Sequence, residues 1–349
     1  MRPRIRYLLS IIVIGMWCGI CISPLSAQGQ NDRTPSADKT YRIGLLLYRG
    51  ETDAERGFRQ YLQQKGLKAE YLVRDAAENP KQLPALVEEM RAMKLDLIYT
   101  FGTTATIAVV GKTGQATPVG AITDVPVVFN IVADPVGSGI TQSLNGSDRN
   151  VTGVSHLVPI GSQLSALRAA MNCRRVAVIY SANEKNAVLS ADALVSAASH
   201  YDLSIVRYPL GNGASAGDLK ELDALLDRVV ADRPDVVYVP SDSFMIKHAN
   251  VLGQRLKEAR IPSMSATESP IRKGGLVMGL VSPYFNAGAF AGHKAYQILA
   301  ENRNPGVLPI SGLDKFTFLI NMRAALAIGF YPKIGALGFA EVIGLPQRP

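Results

Sequence analysis

Pro126-Val127-Val128-Phe129-Asn130-Ile131-Val132-Ala133-Asp134-Pro135-Val136-Gly137-Ser138-Gly139 is an apolar run that stops abruptly at Asp-Pro and two glycines. A strand of nearly continuous apolar character indicates a parallel sheet covered on both faces. In such open α/β sheets, ligands bind beyond the carboxyl ends of the strands.

Upstream, β-rich runs at 41–48, 69–73, 95–101 and 125–132 alternate with amphipathic segments at 51–65, 82–93 and 103–110, which is a βαβ pattern. After Thr152-Gly153 the alternation restarts: helices at 163–171, 184–200 and 219–231, strands at 175–180, 203–208 and 236–239. A helix at 245–260, strands at 261–264 and 276–281, a helix at 286–300, a strand at 316–320 and helical pieces at 323–328 and 334–342 follow. The fold class predicted is α/β, with two Rossmann-like lobes of mostly parallel sheets facing a cleft.

Residues 1–27 read separately. Arg2, Arg4 and Arg6 precede an apolar run of 16 residues, Tyr7 to Ile22, and then Ser23-Pro24-Leu25-Ser26-Ala27. That is a secretory signal cleaved after Ala27; an uncleaved anchor is the alternative, but the run is shorter than a span of about 20 residues. Cys18 and Cys21 leave with the signal, and Cys173 alone remains, so the mature chain has no internal disulfide. Removing the three signal arginines takes the formal charge from +8 to +5, spread along the chain. No basic run interleaved with aromatics supports nucleic-acid binding. The polar stretch 28–40 reads as a tether.

Enzyme motifs are weak. Gly213-Ala214-Ser215-Ala216-Gly217 has the Gly-x-Ser-x-Gly spacing of a hydrolase elbow, but Gly211-Asn212 separate it from the strand, and Ser215 with Asp218 reads better as a helix start. Gly111-Lys112-Thr113 lacks the first glycine of a P-loop, where Thr106 stands. His156, His200, His248 and His293 lack the spacing of a metal site. The sequons at Asn145 and Asn150 are read as lying in a turn.

Several separated blocks carry a resemblance: Gly57-Phe58, 96–105 (DLIYTFGTTA), Asp134-Pro135, Asn150-Val151-Thr152-Gly153, 176–186 (VAVIYSANEKN), 237–243 (VYVPSDS), Gly274-Gly275 and 321–325 (NMRAA). With these the chain resembles the ABC transporter substrate-binding protein family related to tryptophan-binding lipoproteins. The resemblance implies a type I periplasmic-binding architecture with a hinge and an interlobe cleft. It implies three crossings between lobes, with 41–155 and 275–305 in the N-terminal lobe and 156–274 and 306–349 in the C-terminal lobe. The function implied is the exported, periplasmic solute-binding component of an importer, a monomer that hands a small polar solute to a membrane permease. It is no enzyme and needs no cofactor or metal. Amino acids, aromatic ones among them, are the solutes implied. A sensory ligand-binding module for a membrane receptor or kinase is the alternative, and a secreted hydrolase at Ser215 a third.

Each candidate residue has a physical rationale. Gly102-Thr103-Thr104 opens a helix, so free N–H groups there suit an anion, or Thr103 simply caps. Asp134 either holds a ligand ammonium or makes an Asx turn before Pro135. Ser181, Asn183, Glu184 and Asn186 follow a strand and can close over a polar solute or cap the next helix. Asp242 is a second carboxylate for an amine, and Thr267 and Glu268 line the far edge. Tyr48, Phe101, Tyr180 and Tyr284 fall near strand ends and suit an aromatic slot, although pocket walls and core draw on the same residues. At the first strand end Tyr48-Arg49-Gly50-Glu51 departs from the polar segment of the family, and Arg49 can fork onto a carboxylate.

Overall fold

The computed structural model describes residues 39–115, 120–211 and 218–345. The predicted signal, most of the tether, the stretch around Ser215 and residues 346–349 lie outside the described residues. In chain order the elements are β1 (Tyr41–Leu47), α1 (Asp53–Gln64), β2 (Ala69–Asp75), α2 (Leu83–Ala92), β3 (Leu97–Phe101), α3 (Thr103–Val110), β4 (Val127–Val132) and β5 (Val151–Ser155). Next come α4 (Ile160–Ala170), β6 (Arg175–Ser181), α5 (Lys185–Ala197), β7 (Ser204–Leu210), α6 (Leu219–Asp232), β8 (Val236–Val239), α7 (Ser243–Lys247), α8 (Ala249–Glu258), β9 (Ser263–Ser265) and α9 (Glu268–Arg272). The chain ends with β10 (Met278–Val281), α10 (Tyr284–Leu299), β11 (Thr317–Asn321), α11 (Met322–Ala327), α12 (Ile334–Leu337) and β12 (Ala340–Ile343). Among the described residues no helix is long and apolar enough to cross a membrane.

The strands form two sheets. The first has the order β2-β1-β3-β4-β5 and is parallel throughout. The second has the order β12-β11-β10-β9-β8-β6-β7, parallel from β7 to β10, with β11 antiparallel to β10 and β12 parallel to β11. The five parallel strands of each sheet therefore share one doubly wound order, 2-1-3-4-5. Alternate residues of β1 go to opposite faces, as a strand demands: Ile43, Leu45 and Leu47 pack with Phe58 and Ala291, and Leu46 with Val87 and Met90.

The helix α10 belongs with the first sheet although β10, just before it, belongs to the second. It lies on α1 so closely that a Cβ on Gly288 would stand 1.8 Å from the Ala54 carbonyl oxygen, and one on Gly57 2.0 Å from that of Phe285. Only glycine permits such backbone contact. After α10 the chain stays with the first lobe: Ser147 N–H donates to Gly306 O (2.9 Å), Ile310 N–H to Leu144 O (2.7 Å), and Val154 bridges Ser311. The return expected over 275–305 thus starts later and lasts longer, because β10 pairs with β9 and β11. A short strand carries no mark of which sheet it joins.

Three further expectations are corrected. The sequon at residues 150–152, read as lying in a turn, runs into β5, whose Val151, Thr152 and Val154 are buried against β4. The helical piece at 334–342 is α12 followed by β12, which pairs along β11. The helix at 245–260 is two helices, interrupted at His248. Cys173 is buried and free.

Candidate functional site

In the 2-1-3-4-5 order the connections diverge between strands 1 and 3, leaving a crevice at their carboxyl ends. In the first lobe that point lies between β1 and β3, and Tyr48-Arg49 and Gly102-Thr103-Thr104 follow these strands. In the second lobe it lies between β6 and β8, followed by Glu184 and Asn186 and by Ser241 and Ser243. Both sets line one cavity of about 30 Å³, together with Phe101, Ile131, Ala133 and Ile246. The two switch points face each other, and the space between them has room for only about two waters.

On the first-lobe side α3 starts without a side-chain cap. Gly102 is the N-cap, with φ 85°, and Thr103 is already helical. The first intrahelical bond is Thr106 N–H to Gly102 O (3.1 Å), so the N–H groups ahead of it have no intrahelical acceptor. An uncapped helix start is electrically positive and suits a carboxylate. Arg49 donates from Nη2 to the Tyr284 hydroxyl (2.8 Å) and lies 5.2 Å above the Phe101 ring. Tyr48 donates to Glu78 O (3.2 Å), and its hydroxyl pKa is raised by burial and by the charge of Glu184.

A polar chain, buried at Glu55, Tyr99 and Asn130, supports this wall. Glu55 accepts from Thr52 N–H (2.7 Å) while Thr52 Oγ1 accepts from Ala54 N–H (3.1 Å), a capping box at the start of α1. The second Glu55 oxygen accepts from the Tyr99 hydroxyl (2.7 Å), which accepts from Asn130 Nδ2 (3.1 Å). The start of α1 is thereby tied to β3 and β4. Ile131, next to Asn130, has φ 54° at a register shift between β4 and β5, an unusual conformation for a β-branched residue, and it lines the cavity.

On the second-lobe side two carboxyls have different duties. Asp242 has no exposed surface and is spent on the protein: it accepts from Ser181 N–H (2.6 Å), Ser181 Oγ (3.0 Å) and Met245 N–H (2.9 Å), capping α7 and joining β6 to β8. Burial nevertheless pushes its carboxyl up from the usual range. Glu184 lines the cavity, accepting from Ser243 N–H (2.8 Å), Ser243 Oγ (3.3 Å) and Asn186 Nδ2 (3.1 Å). Burial first, and the Asp242 charge second, raise its pKa to about 7. Asn186 also donates to Ser241 O (2.7 Å), which locks the two loops together.

The other candidates stand elsewhere. Asp134 does not line the cavity; its Oδ1 accepts from Gly137 N–H (2.7 Å), which is the Asx turn. Tyr180 is buried in the second core, and exposed Asn183 is not on the wall. Thr267 is buried as the N-cap residue of α9. Glu268 accepts from Tyr284 N–H (3.1 Å), fastening α9 to the start of α10, and faces a larger outer groove of about 770 Å³ with Thr52, Arg56, Arg59 and Arg272. Across the cleft Lys247 pairs with Glu78 at 2.5 Å. Ile131 and Ile246 are not candidates from the sequence, and Ser241 and Ser243 enter it only as part of the block 237–243, in which Asp242 is the residue chosen. Among the described residues no His, Cys, Asp and Glu group could hold a metal.

The family model described as ABC transporter substrate binding protein matches residues 49–331. A tyrosine-binding protein of Clostridioides difficile is 24% identical over 332 residues, 90% of each chain. Among solved structures, the ABC domain from Streptococcus pneumonia in complex with L-Trp superposes with a TM-score of 0.76 at 18% identity, covering 87% of this chain and 99% of that one. A conserved domain protein from Vibrio cholerae gives 0.75 at 22% identity, with the same coverage. The chain belongs to the ABC transporter substrate binding protein family, a class of extracytoplasmic solute receptors that work with a permease, and has its two-lobed type I periplasmic-binding fold.

Proposed function

We propose that this protein is the exported, monomeric solute receptor of an ABC importer, that it is not an enzyme, and that its solute is an amino acid held between the lobes. The observation that carries this reading is the meeting of two switch points with opposite electrical character in one cavity. The solute's α-carboxylate lies against the uncapped start of α3, at Thr103 and Thr104, and its ammonium against Glu184, within reach of Asn186 and Ser243. Neither lobe offers both partners, so the solute draws the lobes together around it, in an arrangement wider than this one, whose cavity of about 30 Å³ is too small for an amino acid, and that closure presents it to a permease. A wall of Tyr48, Phe101 and Ile131 gives a side chain apolar contact. The names of the relatives, one tyrosine-binding and one solved with L-Trp, point to the same solute class.

The test is calorimetric titration of the mature chain from Gln28, unfolded and refolded to strip bound solutes, with the twenty amino acids. Saturable one-to-one binding, weakened at least about tenfold in Glu184→Gln, is the expected result; tenfold corresponds to about 1.4 kcal/mol. A folded protein that binds none of them overturns the reading.

A further inference from the structure

The outstanding feature of the cleft is a guanidinium without a counter-ion. Among the described residues Arg49 makes no ion pair, and its sole hydrogen-bond partner is the neutral Tyr284 hydroxyl. Neighbouring arginines differ: Arg56 pairs with Asp53, Arg59 with Glu51, and Arg272 with Glu268 and Glu341. Glu51, two residues from Arg49, puts both oxygens on Arg59, at 2.8 and 2.5 Å. Across the cleft Glu184 and Asp242 are engaged by N–H and hydroxyl groups of their own lobe. Arg49 is half-buried on the cavity wall, where a charge left unpaired as the lobes close is costly.

The residues behind Arg49 are polar as well. His156 and Ser282, both buried, stand where the chain passes between lobes, after β5 and after β10. His156 Nδ1 and Ser282 Oγ have no hydrogen-bond partner among the described residues, and the His156 ring lies 6.3 Å from that of Tyr284.

The first lobe thus offers two anion receivers on one wall, the start of α3 and the Arg49 guanidinium, and an α-carboxylate held by the helix start leaves the guanidinium for a second acidic group. Resting on the reading of the protein as an amino-acid receptor, we infer that Arg49 determines specificity, and that the solute carries a second acidic group: an amino acid with a carboxylate at the end of its side chain. The planar fork of Arg49 takes that carboxylate through paired N–H donors, while Phe101 and Tyr284 hold the guanidinium in place.

The experiment compares matched acid and neutral solutes on the refolded mature chain by calorimetry: L-glutamate with L-glutamine, L-aspartate with L-asparagine, and 4-carboxy-L-phenylalanine with L-phenylalanine. Wild type is expected to prefer the acid of at least one pair by about tenfold or more, and Arg49→Met to abolish that preference while still unfolding in one cooperative transition. Arg49→Lys keeps part of it. Equal or tighter binding of every neutral member by wild type overturns the inference but leaves the amino-acid receptor standing. So does an acid preference that survives in Arg49→Met. Absence of binding by any amino acid overturns both. Should Arg49→Met fail to fold, the wild-type ratio together with Arg49→Lys decides.

Discussion

Tyr99 has no exposed surface, and its hydroxyl serves two buried groups at once, donating to Glu55 and accepting from Asn130. Removing it leaves both short of a partner, so Tyr99→Phe is expected to cost about 1–3 kcal/mol in chemical denaturation. Glu184 gives a pH signature. Its folded pKa, about 7, lies above its ordinary value, so the folded state holds a proton that the unfolded state has released between about pH 4.5 and 7. This contribution to stability is present at low pH and is lost as pH rises through about 7. The melting temperature of Glu184→Gln relative to wild type is therefore expected to climb from about pH 5 to about pH 8 and then level off. The sequence shows which residues follow the strands but not where their side chains turn: Glu184 and Asn186 reach the cavity, whereas Asp134 closes on its own loop and Asp242 is consumed as a cap. Two carboxylates after two strands look alike until hydrogen-bond partners from other elements are known.

Between elements, the contact of α1 with α10 is set by glycine. A methyl group on Gly288 meets the backbone of Ala54, which cannot yield without parting the helices, so Gly288→Ala is expected to destabilise by about 1–3 kcal/mol. Gly335 in α12 is the control: a Cβ there meets nothing within 4 Å, and Gly335→Ala is expected to be neutral or to stabilise by up to about 1 kcal/mol in the same denaturation series. Elements whose apolar run is bounded by polar, glycine or proline residues are readable from sequence, α3 to the residue and β8 likewise. Elements without such boundaries are not. The five residues of β5 and the four of β12 are strands because β4 and β11 lie alongside, and nothing local distinguishes them from a turn or the end of a helix.

At the scale of the molecule, the repeated strand order brings the site together, and that order was invisible in the sequence because parallel neighbours are distant along the chain. Alternating strands and helices announce two lobes, but the late return of the chain to the first lobe, at α10, depends on partners in space. Across the cleft the Lys247–Glu78 pair adds a contact that exists only while the lobes are near, and both side chains are partly exposed. Such a pair contributes about 0.2–1 kcal/mol. Lys247→Ala is thus expected to weaken solute binding by no more than about fivefold, with unfolding unchanged, in a calorimetric comparison with wild type. The measurement closest to the central claim is the pH dependence of amino-acid affinity in wild type and Glu184→Gln. If the solute ammonium faces Glu184, affinity rises as pH passes through about 7 in the wild type and stays flat in the variant; equal affinity and equal pH dependence in the two proteins would contradict it.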